Sequence, residues 1–123
     1  MRYVLALIAT ITLSGHAVAQ HAHGGKGPNG GQMEDVAGLH AELITLGNTI
    51  TINMFDEGNK PVATKGFTAS ALVVRGPDRE TVALMPSNEA TLKGDAKKPV
   101  TGVAITVTLK TAGGKSGQAR FKP

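Results

Sequence analysis

An all-β fold, either an antiparallel β-sandwich of Ig-like type or a small barrel of about seven strands, is predicted by three features of the sequence. Apolar residues alternate with polar ones at period two, Gly and Pro turns divide the chain about every ten residues, and no ten-residue segment of the body repeats with helical period. The first element lies before that body. Arg2, the apolar run Val4 to Leu13 and the triplet Ala17-Val18-Ala19 form the pattern of a secretory signal peptide, cleaved after Ala19. The run is about ten residues, half of what a helix needs to cross a bilayer, so a soluble exported product with no stable membrane anchor is expected. Residues 20–32, QHAHGGKGPNGGQ, hold five Gly, one Pro and no large apolar side chain. Such a stretch buries too little to offset the entropy of ordering it, and it reads as a flexible Gly/His-rich arm.

The β domain is assigned to residues 33–123. Leu39, Ala41, Leu43 and Thr45 alternate with His40, Glu42 and Ile44, and Ile50, Ile52 and Met54 alternate with Thr49, Thr51 and Asn53. The short Leu46-Gly47-Asn48 link joins these two strands as an antiparallel hairpin. A reversal follows at Asp56-Glu57-Gly58-Asn59-Lys60-Pro61, dense in turn formers. Phe67, Ala69, Ala71 and Val73 then share one strand face, and Gly76-Pro77-Asp78 closes that segment. Further strands are expected at 80–85, 89–92, 103–109 and 117–121. The clearest alternation is Val103, Ile105, Val107 and Leu109 against Ala104, Thr106, Thr108 and Lys110, which marks a central core strand. Met54 and Met85 both fall on apolar faces and are expected in the core.

Composition narrows the function. Of 13 Lys and Arg only Arg2 lies in the leader, which leaves 12 against 9 Asp and Glu, a net +3 spread evenly along the chain. No block of like charge suits a nucleic acid or a membrane surface. Beyond the leader there are three Phe and no Tyr or Trp, so the stacking platforms for single-stranded nucleic acid or sugar rings are missing. There is no Cys, hence neither a disulfide, a lipidated cysteine nor a thiol nucleophile. Ser70, Ser87 and Ser116 have no His near them in sequence, and Gly24-Gly25-Lys26-Gly27 lacks the ending of a phosphate loop. Glu34, Asp35 and Glu42 read as solubility and capping residues rather than as paired catalytic acids. The expectation is a protein without enzymatic activity.

Metal chemistry is the positive signal. His21 and His23 form a His-x-His pair on the arm, and imidazole is the commonest protein ligand for Cu, Zn and Ni. Met33, immediately after the arm, offers a soft thioether suited to Cu(I), and His40 shares a strand face with Glu42. His21, His23, Met33 and His40 are the candidate ligands for a transition metal ion, copper or zinc. An exposed edge strand that captures a protein partner is the competing reading, in which the arm is only a tether.

Three motifs also occur in combination: His23-Gly24-Gly25, Gly27-Pro28-Asn29-Gly30-Gly31 and Leu39-His40-Ala41-Glu42-Leu43, followed by the turn from Asp56 to Val62. From His23 to Phe121 the chain resembles the small β-rich segment near the amino terminus of periplasmic adaptor subunits of heavy-metal efflux pumps, and related stand-alone exported proteins of Gram-negative bacteria. The resemblance implies a periplasmic domain tied to copper, zinc or nickel handling, with an efflux pump component as partner and with His23 and His40 as the histidines that matter. It does not extend to the helical hairpin and lipoyl-like domains of a complete adaptor, for which the chain is too short.

Overall fold

The computed structural model describes residues 25–123. The expected signal peptide, and with it His21 and His23, lies outside the described residues. Eight antiparallel strands make up the body: β1 Gln32–Val36, β2 Leu39–Leu46, β3 Thr49–Phe55, β4 Thr68–Arg75, β5 Asp78–Ser87, β6 Thr91–Asp95, β7 Ala104–Lys110 and β8 Ser116–Phe121. They follow one another in a single sheet order, β1-β2-β3-β6-β5-β4-β7-β8.

That order contains two Greek-key crossings. The 56–67 connection carries the chain from β3 past β6 and β5 to β4, and the 96–103 connection carries it from β6 past β5 and β4 to β7. β5 is the corner. Its first seven residues pair with β4 and its last three, Met85 to Ser87, pair with β6, so one long strand turns the sheet back on itself. The two ends of the order also meet, because a Cβ placed on Gly117 in β8 would stand 2.7 Å from the Ala37 nitrogen and 3.2 Å from Val36 Cγ2. The result is a nearly closed, barrel-like sheet of eight strands, one more than the alternation predicts.

Turn chemistry fixes the register of the tight hairpins. Between β1 and β2, Ala37 (φ 52) and Gly38 (φ 78) both take positive φ, as a type I′ turn requires. Between β2 and β3 and between β4 and β5 the first of the two turn residues, Gly47 and Gly76, carries the positive φ, the type II′ arrangement. Period two then sorts the faces. Ala41, Ile50, Ile52, Met54, Val73, Leu84, Leu92, Ile105, Val107, Leu109 and Phe121 point inward and are buried. The strand with the cleanest alternation, β7, sits between β4 and β8, as its pattern predicts.

Met54 is in the core, but Met85 is not: it is 65 % exposed. Val82 and Leu84 face inward on β5, so Met85, one residue on, must face out opposite Lys93. The Gly-rich stretch also departs from its composition. Gly27 N–H donates to Gly31 O (2.7 Å), Gly30 N–H to Gly27 O (2.9 Å) and Met33 N–H to Gly25 O (2.8 Å), so residues 25–32 form a fastened loop rather than a free arm. What fastens it is a side chain on β2.

Candidate functional site

The outward face of β1 and β2 carries the described candidate residues together. Register places Asp35 opposite His40 and Met33 opposite Glu42, and directly opposed residues share a face. On the other side of β2, Phe55 lies opposite His40 and Asn53 opposite Glu42. Met33, Asp35, His40, Glu42, Asn53 and Phe55 therefore form one patch on the outside of the barrel.

Glu42 is its fixed point. Alternation correctly turns it outward, yet it is fully buried, because the Gly25 to Gly31 loop folds across it. A Cβ on Gly27 would run into the Glu42 carboxylate, and one on Gly31 into the Leu43 carbonyl oxygen, so both positions exclude a side chain. The carboxylate accepts four hydrogen bonds: Asn29 N–H (2.8 Å) and Gly31 N–H (3.0 Å) at Oε2, and Asn29 Nδ2 (2.8 Å) and Asn53 Nδ2 (3.3 Å) at Oε1. Asn53 is itself oriented by the Thr91 hydroxyl, which donates to Asn53 Oδ1 at 3.1 Å. Burial by itself would raise the Glu42 carboxyl, but these bonds, led by the Asn29 side chain and the Gly31 N–H, outweigh it and hold the group below its ordinary value of 4.5. Glu42 is thus neither a solubility residue nor an acid-base group open to a substrate; it is an ionised clasp.

A second carboxylate does the same for another connection. Glu80 accepts from the Lys97 N–H (2.8 Å) and from Arg75 Nη1 (3.1 Å), while Arg75 Nε and Nη2 donate to the carbonyls of Pro99 and Lys98. The Lys97 N–H bond is the main reason its carboxyl lies below the usual range.

His40 is half-buried, and its Nδ1 lies 2.5 Å from Asp35 Oδ1. A carboxylate on Nδ1 makes that nitrogen the donor and leaves Nε2 as the ring's ligand atom, the arrangement metal-binding histidines commonly share. Together with Gly38, Leu39 and Glu57, the pair lines an open groove of about 370 Å³. Met33 sits diagonally from His40 across the β1–β2 ladder, at a Cβ separation of about 7 Å, within which an imidazole and a thioether can reach one ion. Among the described residues no three His, Cys, Asp or Glu side chains converge closely enough to hold a metal.

The structure thus brings Met33 and His40 onto one face, while His21 and His23 lie outside the described residues. The sequence reading missed the clasp. Its signal was a lone acid in a strand of otherwise modest polarity, together with a nearby Asn-Gly-Gly run rich in N–H donors. Comparison of the chain with protein-family models, with curated proteins and with solved structures gives no match.

Proposed function

We propose that the protein is an exported, periplasmic transition-metal-binding protein without enzymatic activity, which buffers copper, zinc or nickel or passes it to a heavy-metal efflux component. The ligands are His21, His23 and His40, with Met33 as the soft donor. One observation carries the reading: His40 is held through Nδ1 by Asp35, leaving Nε2 for an ion on the face it shares with Met33. Few ligands, one of them a thioether, favour exchange over permanent storage. Calorimetric titration of the exported protein with Cu(II), Zn(II), Ni(II) and, under reducing conditions, Cu(I) tests it. Binding at micromolar Kd or tighter is expected, lost in a His21→Ala/His23→Ala variant and weakened in His40→Ala; absence of binding for all four ions refutes it.

The alternative, an interaction module that pairs a partner strand with a sheet edge, draws on β1, which ends the strand order. Capture of such a partner would be indifferent to chelators.

A further inference from the structure

The loop that Glu42 fastens contains the one Asn-Gly pair of the sequence, Asn29-Gly30; Asn48, Asn53, Asn59 and Asn88 are followed by Thr49, Met54, Lys60 and Glu89. The pair carries chemistry of its own, because the nitrogen of a glycine, with no Cβ beside it, is the least hindered backbone nucleophile a neighbouring side-chain amide can meet. Gly30 N can close on Asn29 Cγ to give a cyclic imide. The N–Cγ bond forms, the Cγ–Nδ2 bond breaks and ammonia leaves; hydroxide takes the Gly30 N–H proton and water returns one to the departing nitrogen. Water then opens the imide. Attack at Cγ leaves aspartate, and attack at the Asn29 backbone carbonyl leaves isoaspartate, with a methylene added to the main chain. The net change is amide plus water to carboxylic acid plus ammonia, and nothing is oxidised or reduced.

The folded loop blocks the first step at both reacting groups. Gly30 N–H, the nucleophile, donates to Gly27 O (2.9 Å) and closes a β-turn with Pro28 and Asn29 at its centre. Asn29 Nδ2, the leaving group, donates to Glu42 Oε1 at 2.8 Å, while Asn29 N–H donates to Oε2 at 2.8 Å. With side chain and main chain both held, Asn29 cannot swing its Cγ onto Gly30 N. Solvent is not the barrier: Asn29 and Gly30 are exposed, and a Cβ on Gly30 would meet nothing within 4 Å. Reaction waits for the clasp to open.

We propose that Asn29-Gly30 is a self-modification site gated by the Glu42 clasp: it deamidates only from the open loop, and its product keeps the loop open. Aspartate at position 29 has an acceptor where Nδ2 donated, so two carboxylates face each other in place of an amide and a carboxylate. In isoaspartate the added methylene also shifts the Gly31 N–H away from Oε2. Either product strips donors from Glu42 and releases the loop that buries it, which uncovers the carboxylate on the face that holds Met33, Asp35 and His40. The switch runs one way, since the ammonia is lost to solvent. It needs no metal and stands apart from the metal-binding reading.

An open loop reacts like an unfolded chain, so the ratio of folded to unfolded rates reads the opening equilibrium. The experiment ages the exported protein in mildly alkaline, metal-free buffer and follows Asn29 by peptide mapping with mass spectrometry that separates aspartate from isoaspartate. Three samples are compared: the folded wild type, the wild type unfolded in guanidinium chloride, and folded Glu42→Gln. Asn29 should convert roughly tenfold or more slowly in the folded wild type than in the unfolded chain, and roughly tenfold or more faster in Glu42→Gln than in the folded wild type. Asn48, Asn53, Asn59 and Asn88 should stay intact in the folded protein. Amide exchange on Asn29→Asp reads the product: Gly31 N–H protection should fall by about tenfold or more, with the core amide of Val107 still protected. A folded wild type that converts within about threefold of the unfolded chain overturns the gate, and this comparison stands whether or not a variant folds. Conversion in Glu42→Gln within about threefold of the folded wild type overturns the role of the clasp, and Gly31 protection in Asn29→Asp within about threefold of wild type overturns the switch.

Discussion

Replacing Glu42 by glutamine keeps the shape of the side chain and removes its charge, which makes it a direct probe of the clasp. Each carboxylate oxygen accepts two hydrogen bonds, whereas a Gln amide has one oxygen and one NH₂ group. If the NH₂ faces the loop, it meets the Asn29 and Gly31 backbone N–H groups, neither of which can turn over. If it faces the other way, it meets the amides of Asn29 and Asn53, and Asn53 is held in orientation by Thr91. The first orientation loses two bonds and the second at least the one to Asn53, since the Asn29 amide can turn its oxygen toward the NH₂; with roughly 1.5 kcal/mol or more for each bond to a charged acceptor, the loop is destabilised by about 2–3 kcal/mol. The barrel can survive release of residues 25–31, so the loss belongs first to local opening. Amide hydrogen exchange measures it directly: protection of the Gly31 N–H in Glu42→Gln should fall by about 30-fold or more, since 1.4 kcal/mol is a factor of ten. Protection within threefold of the wild type would mean that the loop is held by its own backbone bonds and that the clasp argument is wrong.

Three further outcomes are expected, two from the same loop and one from the leader. Because the Glu42 carboxyl lies below 4.5 in the folded protein, its contribution is complete above that value and disappears as the pH falls through the lower folded value; Gly31 exchange, corrected for intrinsic rate, should be flat from about pH 7 to 5 and accelerate only in stronger acid. Gly31→Ala forces a methyl group into the Leu43 carbonyl oxygen and should cost about 1–3 kcal/mol in urea denaturation or release the loop, while Gly25→Ala, with open space around its Cβ position, should stay within about 0.5 kcal/mol. Intact mass spectrometry of the exported protein should show a chain that starts at Gln20; a mass that retains residues 1–19 would refute the signal-peptide reading.

The strands that the sequence reveals are those whose inner face is filled from their own residues. Ile50, Ile52 and Met54 on β3, and Ile105, Val107 and Leu109 on β7, alternate cleanly because one face meets the core and the other meets water. β1 escapes the same reading. Its sequence Gln-Met-Glu-Asp-Val has only two apolar residues, and its place is set by the Ala37-Gly38 turn and the β2 register rather than by burial along its length. Alternation puts Glu42 on the correct face, yet its burial is not legible, since what covers it is not a strand but a glycine loop that composition marks as unable to order itself. The loop orders because the carboxylate supplies acceptors for N–H groups that would otherwise be left to solvent. Met85 shows the opposite error: an apolar residue in a strand says nothing about its face until its neighbours, here Val82 and Leu84, fix the parity. Of the proposed ligands, the sequence identified the residue types, but only the β1–β2 register puts Met33 diagonal to His40 and Asp35 on its ring nitrogen.

The proposed site holds a transition metal on the outer face of β1 and β2 through His40. Its most direct test is an anaerobic titration of Cu(I) into isotope-labelled protein, followed residue by residue by NMR. Saturable shifts at stoichiometric copper are expected, centred on Met33, Asp35 and the His40 ring, with Val107 and Leu109 on β7 unmoved. An unperturbed His40 at stoichiometric Cu(I), or shifts confined to residues 20–24, would contradict it.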